Sequence, residues 1–351
     1  MKNFKLFIAL LTASSLGLTS CSNSDDSDKT TFNDEYRNGI LVLNEGSYGH
    51  SNASITFYKE GITNQNIFRT VNPTKTVGNV AQNIIVKDGR AYIVVNGSNK
   101  IEIVDASTFK SEATITSELS NPRYIAIDEQ NIYVSNWGDP SVSTDDYIAI
   151  FRKSDNALVN KISVKEGPDR LILKNNKLVI AHSGGWNNGN SVTILNTRNN
   201  EIKNLTVGDI PNDLAANNND IYVLCAGITY NDDETAGKLV KINLNTNEIS
   251  QTLDFNSNQH PGYITINNNE IYYTLGKSVY KTSTSTTSLP ETALFTTNVT
   301  YLYGLNIANN IIYVADAKDF TSNGEVKYYS LTGSLLGSFE TGIGPNTILY
   351  N

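Results

Sequence analysis

The chain has 351 residues, of which 39% are hydrophobic and 18% are charged, and 35 acidic against 27 basic residues give a net charge of −8. Such an acidic chain offers no basic patch to a phosphate backbone, which excludes nucleic acid as an expected partner. No segment shows sustained helical periodicity, so the composition favours an all-β fold.

The N-terminal segment has the layout of an export signal. A basic start at residues 1–5 precedes an apolar run at residues 6–18, which is too short to span a bilayer. The run ends in Leu-Thr-Ser-Cys, the pattern of a bacterial lipobox. We predict a signal peptide over residues 1–20, a lipidated Cys21 and a flexible acidic tether to residue 37. The alternative is an ordinary secretory signal with an incidental cysteine and a merely solvated linker.

A short strand-like phrase recurs seven times in the remaining chain, at intervals of about 40–50 residues. The copies lie at residues 40–43, 91–95, 132–134, 178–180, 221–224, 271–273 and 312–314. A repeat of this length, built from short strands, is typical of a β-propeller with one four-stranded blade per repeat. The sequence therefore predicts a seven-bladed β-propeller over residues 38–351. The tyrosines of these phrases recur at one position, which predicts packing roles for Tyr92, Tyr133, Tyr222, Tyr272 and Tyr313.

Each repeat contains four strands, which we call a to d, the tyrosine-bearing phrase being strand b. Hairpins rich in Asn, Asp and Gly connect strands a and b, and these residues tolerate the left-handed backbone of tight turns. Residues 344–351 read as a strand a without a blade, whereas the first blade lacks one. We expect the C-terminal strand to complete blade 1 and remove a free sheet edge. Two stacked β-sandwiches would require a linker and a change of period, and neither is present.

The sequence contains no recognisable catalytic motif. Cys225 lies in an apolar phrase and is expected to be a buried thiol. The histidines, His50, His182 and His260, lie in separate repeats without zinc-site spacing, and the acidic run 231–234 lacks the pattern of a calcium loop. A nucleophile elbow and a phosphate loop are absent as well. We expect a protein without enzymatic activity, cofactor or metal.

Strand parity indicates where a ligand would bind. In an antiparallel blade the turns into strand a and the b–c loops emerge on one face, which we call the entry face. Its loops contain both tryptophans of the protein, beside Gly and Asn, a composition typical of ligand sites. The predicted ligand-binding residues are Tyr48, Arg123, Asn136, Trp137, Arg170, Trp186, Asn212, Tyr230 and Tyr303. The alternative for each tryptophan is that it covers its own blade and fills the gap between sheets.

The P-x-x-φ turn followed by an I-Y-V strand resembles the YncE-like seven-bladed propellers. The opening L-V-L-N-E-G-S-Y-G at residues 41–49, with N-A-S-I-T-F-Y at 52–58, is similar to the start of BtuG-like surface lipoproteins of Bacteroidota. Acidic residues behind Cys21 (Asp25, Asp26 and Asp28) resemble the surface-export signal of that group. The resemblance covers residues 38–351. It implies a lipid-anchored outer-membrane protein, exposed at the cell surface, that captures cobalamin for a TonB-dependent transporter.

Three functions remain open at this point. The first is capture of a flat or bulky solute such as a corrinoid, between aromatic rings and with arginine and asparagine groups bonding its amides or phosphate. The second is a metal-dependent hydrolase of the lactonase type, for which Asp169, Asn212 and His260 are the only available ligand set. The third is a module that binds protein or glycan with the same face. Metal content separates the second function from the first, and saturable small-molecule binding separates the first from the third.

Overall fold

Seven antiparallel sheets of four strands follow one another in a computed structural model, which describes residues 35–139, 141–230 and 234–351. They form the blades of a β-propeller, which confirms the predicted fold. The predicted signal peptide, Cys21 and the tether up to residue 34 lie outside the described residues. Neither of the two short helices in the described ranges is long or apolar enough to cross a membrane.

The first four blades contain the following strands. Blade 1 has β1 (Ile40–Asn44), β2 (Ser54–Lys59) and β3 (Ile62–Asn64). Helix α1 (Ile67–Val71) leads into blade 2, with β4 (Ala81–Lys87), β5 (Arg90–Val95), a 3₁₀ turn (Asn96–Ser98), β6 (Lys100–Asp105) and β7 (Ser111–Ile115). Blade 3 has β8 (Pro122–Ile127), β9 (Asn131–Asn136), β10 (Tyr147–Arg152) and β11 (Leu158–Ser163). Blade 4 has β12 (Pro168–Lys174), β13 (Lys177–His182), β14 (Ser191–Asn196) and β15 (Ile202–Thr206).

The remaining blades repeat this order. Blade 5 has β16 (Pro211–Asn217), β17 (Asp220–Cys225), β18 (Lys238–Asn243) and β19 (Glu248–Asp254). Blade 6 has β20 (Pro261–Asn267), β21 (Glu270–Leu275), β22 (Ser278–Ser283) and β23 (Phe295–Thr296). Blade 7 has β24 (Leu302–Ala308), β25 (Ile311–Asp316), β26 (Glu325–Ser330) and β27 (Leu335–Glu340). The last strand, β28 (Pro345–Tyr350), is strand a of blade 1.

The C-terminal strand closes the ring as predicted. Strand β28 pairs antiparallel with β1, with Leu349 opposite Leu41. The backbone N–H of Asn38 donates to the carbonyl oxygen of Asn351 at 2.6 Å. Tyr36, which the sequence analysis assigned to the tether, is 3% exposed, and its ring packs edge-on against Phe57. The packed propeller therefore includes Tyr36, which corrects the predicted boundary at residue 37.

Strand b is buried on both sides because each sheet packs between two others. The predicted packing tyrosines are confirmed as buried, each 1–6% exposed: Tyr92, Tyr133, Tyr222, Tyr272 and Tyr313. Cys225 at the end of β17 is fully buried. The a–b hairpins carry asparagines with positive φ, as their sequences predicted; examples are Asn176 at 58° and Asn269 at 63°.

A register shift occurs at the start of strand a in all seven blades. The pairing with strand b jumps from Ala81 to Asn83 in blade 2 and from Pro122 to Ile125 in blade 3, and comparable jumps occur in the other five blades. A bulge of this kind leaves one or two residues unpaired and changes the direction of their side chains. At the entry face, each blade therefore has one or two side chains whose direction does not follow the alternation of a regular strand.

Candidate functional site

The residues in these bulges line a central cavity at the entry face, which we call the entry cavity. Its volume is about 370 Å³, and every blade contributes to its wall. The lining residues are Gln82, Arg123, Tyr124, Arg170, Asn212, Gly262, Tyr263, Tyr301, Leu302, Tyr303, Asn346 and Thr347. A second cavity of about 340 Å³ shares four of these residues and extends into the channel. The entry cavity is therefore the mouth of the propeller channel.

Side-chain bonds connect each neighbouring pair of blades around this mouth or, for blades 6 and 7, in the channel beneath it. Starting at blade 1, they join Asn346 Nδ2 to Ala81 O (2.9 Å), Gln82 Nε2 to Tyr124 Oη (3.3 Å), Arg123 Nε to Asp169 Oδ1 (3.2 Å), Arg170 Nε to Asp213 Oδ1 (3.3 Å), Asn212 Nδ2 to Gly262 O (2.6 Å), Thr265 Oγ1 to Asn306 Oδ1 (3.4 Å) and Tyr303 Oη to Glu45 Oε2 (2.6 Å). The polar groups of the mouth therefore hold the blades together as well as lining the cavity.

Arg123 is held between a carboxylate and an aromatic ring. Besides its bond to Asp169, its guanidinium carbon lies 3.9 Å from the centroid of the Trp137 ring. Asp169 also accepts a hydrogen bond from Ser183 Oγ at 3.0 Å, and Trp137 Nε1 donates to the carbonyl oxygen of Pro168 at 3.0 Å. These contacts fix the guanidinium plane at the cavity wall, since each partner is itself anchored in blade 3 or blade 4.

Arg170 repeats this arrangement one blade further on. It pairs with Asp213, and its guanidinium carbon lies 4.4 Å from the centroid of the Tyr124 ring. The side chains of Arg123 and Arg170 are 18% and 25% exposed. Both ion pairs use Nε, so the terminal nitrogens remain available as donors to a solute in the cavity. The carboxylates of Asp169 and Asp213 neutralise the charges of the two arginines. These ion pairs therefore offer an anionic solute no net positive charge.

Glu45 and Tyr303 complete the wall where blade 7 meets blade 1. Burial raises the pKa of Glu45, and the hydrogen bond from Tyr303 and the charge of Arg123 partly oppose that effect. Burial and the nearby Glu45 carboxylate raise the pKa of Tyr303, which keeps its hydroxyl protonated as the donor. The ring of Tyr303 contacts Phe320 at 4.8 Å between centroids, in an edge-on arrangement. This corner offers a carboxylate beside aromatic surface.

Exposed aromatic side chains surround the mouth on the entry-face loops. Tyr48 is 86% exposed, Trp186 74%, Tyr230 51% and Tyr301 52%. Tyr230 donates its hydroxyl proton to Asn188 Oδ1 at 2.8 Å, which connects the b–c loops of blades 5 and 4. Tyr350, 43% exposed, lies on the opposite face, at the end of its strand a. Aromatic surface is thus concentrated around the cavity.

The structure brings some of the sequence-predicted residues together and separates others. Arg123, Arg170, Asn212 and Tyr303 line the entry cavity, whereas Tyr48, Trp186 and Tyr230 lie on the surrounding loops.

The predicted role of Asn136 requires correction. Its side chain is 0% exposed, and both ends of its amide are used: Nδ2 donates to Val134 O at 3.0 Å and Oδ1 accepts from the backbone N–H of Ser120 at 3.0 Å. Asn136 therefore supports the loop and does not face a ligand.

The two tryptophans do not form a joint clamp. Trp137 is half-buried at the junction of blades 3 and 4, bonded to Pro168 and covered by Arg123. The cleft between Trp137 and Trp186 has a volume of only about 10 Å³. No solute fits between the two rings in this arrangement. Trp137 supports the side chain of Arg123, which lines the entry cavity. Of the two tryptophans, only Trp186 has an exposed ring.

Tyr124, Tyr263 and Asn346 stand at entry-face turns of the sequence, but the predicted ligand-binding residues did not include them, and the partner role of Glu45 was not predicted. These three residues occupy the second or third position of strand a, directly after the turn that recurs in every blade. That recurring position indicates the face. An alternating strand pattern does not show that a bulge turns those side chains into the cavity.

The proposed metal ligands are engaged elsewhere. Asp169 is bonded to Arg123 and Ser183, while His260 faces Ala226 O at 2.9 Å and Glu234 at 3.2 Å. Buried His182 is bonded to Thr193, and burial lowers its pKa to about 4. Within the described ranges, no group of three or more His, Cys, Asp or Glu side chains is placed to hold a metal ion. Residues 231–233 of the acidic run lie outside those ranges.

Comparisons with known proteins support the same architecture. Residues 38–331 match a family model described as "Domain of unknown function (DUF5074)". No curated protein matches the chain. A quinonprotein alcohol dehydrogenase-like protein from Bacteroides thetaiotaomicron is 16% identical, with 90% of this chain and 78% of that chain covered and a TM-score of 0.69.

Two further solved structures are similar. A functionally unknown protein from Desulfotomaculum acetoxidans is 12% identical, covers 89% of this chain and 99% of that one, and has a TM-score of 0.63. BamB from Moraxella catarrhalis is 15% identical, covers 86% and 82%, and has a TM-score of 0.51. At these identities the likeness shows the fold alone.

Proposed function

The chain belongs to the DUF5074 family, and from that premise and the geometry of the entry face we propose that it is a non-catalytic binding protein that captures a bulky solute in the entry cavity. The observation that carries the proposal is the ring of bulges, which aims two arginines, three tyrosines and three amide side chains from all seven blades into one mouth. Exposed aromatic rings on the surrounding loops add contact surface of the kind enriched at binding sites.

The charges favour a neutral solute rich in amides or hydroxyls. Arg123 and Arg170 are each paired with a carboxylate, so they act as directed donors more than as a field of positive charge. A corrinoid combines a flat ring with amide arms, and the Asn-Glu-Gly opening at residues 44–46 resembles that of corrinoid-capturing lipoproteins. We therefore take cobalamin as the first solute to test.

The route of the chain is compatible with surface capture. Strand β1 begins, and β28 ends, on the face opposite to the entry face. A tether at residue 35 therefore leaves the entry face accessible, and under this proposal Cys21 carries the lipid and a TonB-dependent outer-membrane transporter is the partner that receives the solute.

Calorimetric titration of the purified protein with cyanocobalamin tests the proposal. We expect saturable binding that weakens about tenfold in Trp186→Ala and Tyr230→Ala, the loss expected for an aromatic contact worth about 1.4 kcal/mol. Tyr350→Ala is the matched control, because it removes an exposed tyrosine from the opposite face. Absence of binding at micromolar cyanocobalamin would refute corrinoid capture. Equal affinities in all three variants would refute the entry face as the site.

A module for protein or glycan is the second candidate. The side chain of Tyr48 is 86% exposed, on the loop at residues 45–53, where a macromolecular surface would contact it more readily than a small solute. Under that candidate, Tyr48→Ala weakens binding of the macromolecule. Titration with cyanocobalamin then gives no heat of binding, in the unaltered protein or in the variant.

A further inference from the structure

Blade 6 departs from the other blades at two positions of the entry face. At the strand-a bulge it has Gly262, where the other blades have Gln82, Arg123, Asp169, Asn212, Tyr303 and Asn346. Its b–c connection consists of residues 276 and 277 only, whereas the equivalent loops occupy residues 45–53, 96–99, 137–146, 183–190, 226–237 and 317–324.

These two departures leave a cavity of about 330 Å³ above blade 6, which we call the notch. The notch and the entry cavity share Gly262, Tyr263, Tyr301 and Leu302, so the two are adjoining spaces. A Cβ atom placed on Gly276 would meet nothing within 4 Å. The notch is therefore an open side of a mouth that loops enclose elsewhere.

One wall of the notch is an anchored aromatic ring. Tyr301 is 52% exposed, and its ring packs edge-on against Phe320 at 5.0 Å between centroids. The backbone N–H groups of Thr300 and Tyr301 both donate to the Asp316 carboxylate, at 2.8 and 2.9 Å. The loop that holds the ring is thus fixed before any ligand binds, which lowers the entropic cost of using the ring as a platform.

The rest of the notch combines apolar surface with a few polar groups. Thr300 contributes an exposed hydroxyl group and Lys277 an exposed ammonium group, and Leu302 is the one aliphatic side chain in the lining. The hydroxyl of Thr274 is buried and accepts the backbone N–H of Tyr263 at 3.0 Å, and both ring nitrogens of His260 face Ala226 O or Glu234. A half-exposed tyrosine ring beside hydroxyl groups matches a sugar, whose C–H face stacks on an aromatic ring while its hydroxyls exchange hydrogen bonds at the edges. A purely apolar group would remove water from the Thr300 hydroxyl without replacing its hydrogen bond.

We infer that the notch is a subsite for a sugar ring, either one unit of an oligosaccharide or the glycosyl arm of a solute whose main body occupies the entry cavity. The inference rests on the proposal that the entry face is the ligand face. It adds the chemical class of the ligand group that extends from the entry cavity into the notch over blade 6. The two sources share the same recognition chemistry and are separated by the experiment.

Saturation-transfer NMR with a mixture of methyl glucoside, methyl galactoside and methyl riboside tests the subsite directly. We expect transfer to ring protons in the unaltered protein and in Tyr301→Phe, which keeps the ring. Transfer is expected to fall by about threefold or more in Tyr301→Ala, which removes the stacking surface. Tyr350→Ala is again the control on the opposite face.

Gly262→Asn gives a second, independent variant. It installs in blade 6 the residue that blades 5 and 1 carry at this position, and it narrows the notch from the channel side. Gly262 does not have a positive φ, and its added Cβ would lie 3.0 Å from Thr274 Oγ1, which accepts the Tyr263 N–H at 3.0 Å. The variant therefore requires Thr274 to shift by a few tenths of an ångström. Transfer to all three glycosides is expected to fall in this variant as well, with the melting temperature of the protein as the check on folding.

The outcomes separate this inference from corrinoid capture. Saturation transfer to the glycosides without binding of cyanocobalamin supports the subsite and refutes corrinoid capture. Dicyanocobinamide lacks the nucleotide arm of cyanocobalamin, which consists of phosphate, ribose and dimethylbenzimidazole. If cyanocobalamin binds more tightly than dicyanocobinamide, and Gly262→Asn abolishes that difference, the sugar of the nucleotide arm is the source. Two results overturn the inference even where cyanocobalamin binds. One is the absence of transfer to any glycoside in the unaltered protein. The other is transfer in Tyr301→Ala and Gly262→Asn that equals the transfer in the unaltered protein.

Discussion

The Nε atom of Arg170 in blade 4 lies 3.3 Å from Oδ1 of Asp213 in blade 5, and the same carboxylate accepts the backbone N–H of Ile264 in blade 6 at 3.0 Å. One side chain, 7% exposed, thus connects three blades at the rim of the entry cavity. Its charge is compensated by Arg170, which also lines the entry cavity. The cohesion of the ring and the shape of the cavity wall therefore depend on the same ion pair.

Replacing Arg170 with methionine is expected to destabilise the protein at neutral pH. The change leaves the buried Asp213 carboxylate without its cation, which costs about 2–4 kcal/mol in the free energy of unfolding. Asp213→Asn removes the charge, so in the double variant Arg170→Met/Asp213→Asn the loss should be smaller than the sum of the single losses. Denaturant titrations of all four proteins measure the coupling, and additive losses would contradict the expected interaction.

Removal of residues 345–351 is expected to abolish the compact monomer. Without β28, strand β1 exposes an unpaired edge together with Leu41 and Val42, both 0% exposed in the intact chain. We expect the truncated protein to elute as aggregates in size-exclusion chromatography, and a synthetic peptide of residues 344–351 to restore part of the monomer peak. Tyr350→Ala should elute as the intact protein does. A truncated chain that stays monomeric would show that blade 1 is stable with three strands.

Asp146 is expected to make stability depend on pH. Burial, followed by the like charges of Asp145 and Glu166, raises the pKa of Asp146 to about 6. Because the folded pKa lies above the unfolded value of about 3.9, ionisation destabilises the fold: the penalty is complete above pH of about 6 and disappears below about 4.

Asp146→Asn should therefore stabilise the protein at neutral pH by roughly 1–3 kcal/mol, and the difference from the unaltered protein should vanish near pH of about 4. The amide can still accept the Gly167 N–H, which Asp146 Oδ1 now accepts at 3.1 Å. Denaturant titrations of both proteins across this range give the difference directly, and contributions from other groups such as His182 cancel. A constant difference at every pH would contradict the raised pKa.

The thiol of Cys225 is expected to report global unfolding. It is 0% exposed, and burial raises its pKa, so the reactive thiolate is both inaccessible and disfavoured. An aromatic disulfide reagent should leave Cys225 unmodified in buffer and modify it fully in concentrated guanidinium chloride. The test uses Cys21→Ser so that Cys225 is the only thiol. Rapid labelling in buffer would show that blade 5 opens locally.

The burial of residues that recur in every blade could be predicted from the sequence. The contacts of residues that depend on a neighbouring blade could not. The phrase around Tyr222 recurs because strand b is buried on both sides in every sheet, and burial leaves a pattern in the sequence. Trp137 and Trp186 stand in similar Gly- and Asn-rich loops, yet one is half-buried and the other is 74% exposed. The difference lies in the Pro168 carbonyl that Trp137 finds across the junction, and no local pattern reveals it.

Arg123 illustrates the same limit within the site itself. Its position after a proline turn indicated the correct face, and the structure places it in the cavity wall. Its ion pair with Asp169 joins residues 46 positions apart in the chain, so only the ring geometry brings them together. The bulges are hidden for a related reason, because a register shift is a property of two paired strands and not of either strand alone.

The contact between Asn38 and Asn351 places the first and last strands of the propeller next to each other. In a chain that begins near residue 35, a short peptide joining its first residue to Asn351 would close the backbone into a ring. New ends opened in the exposed hairpin at residues 175 and 176 would then yield a circular permutant with the same seven sheets. In such a permutant blade 1 is continuous in sequence, and blade 4 becomes the sheet assembled from both ends of the chain. Which blade is assembled from both ends therefore depends on where the chain is opened, whereas the seven sheets that form the mouth stay the same.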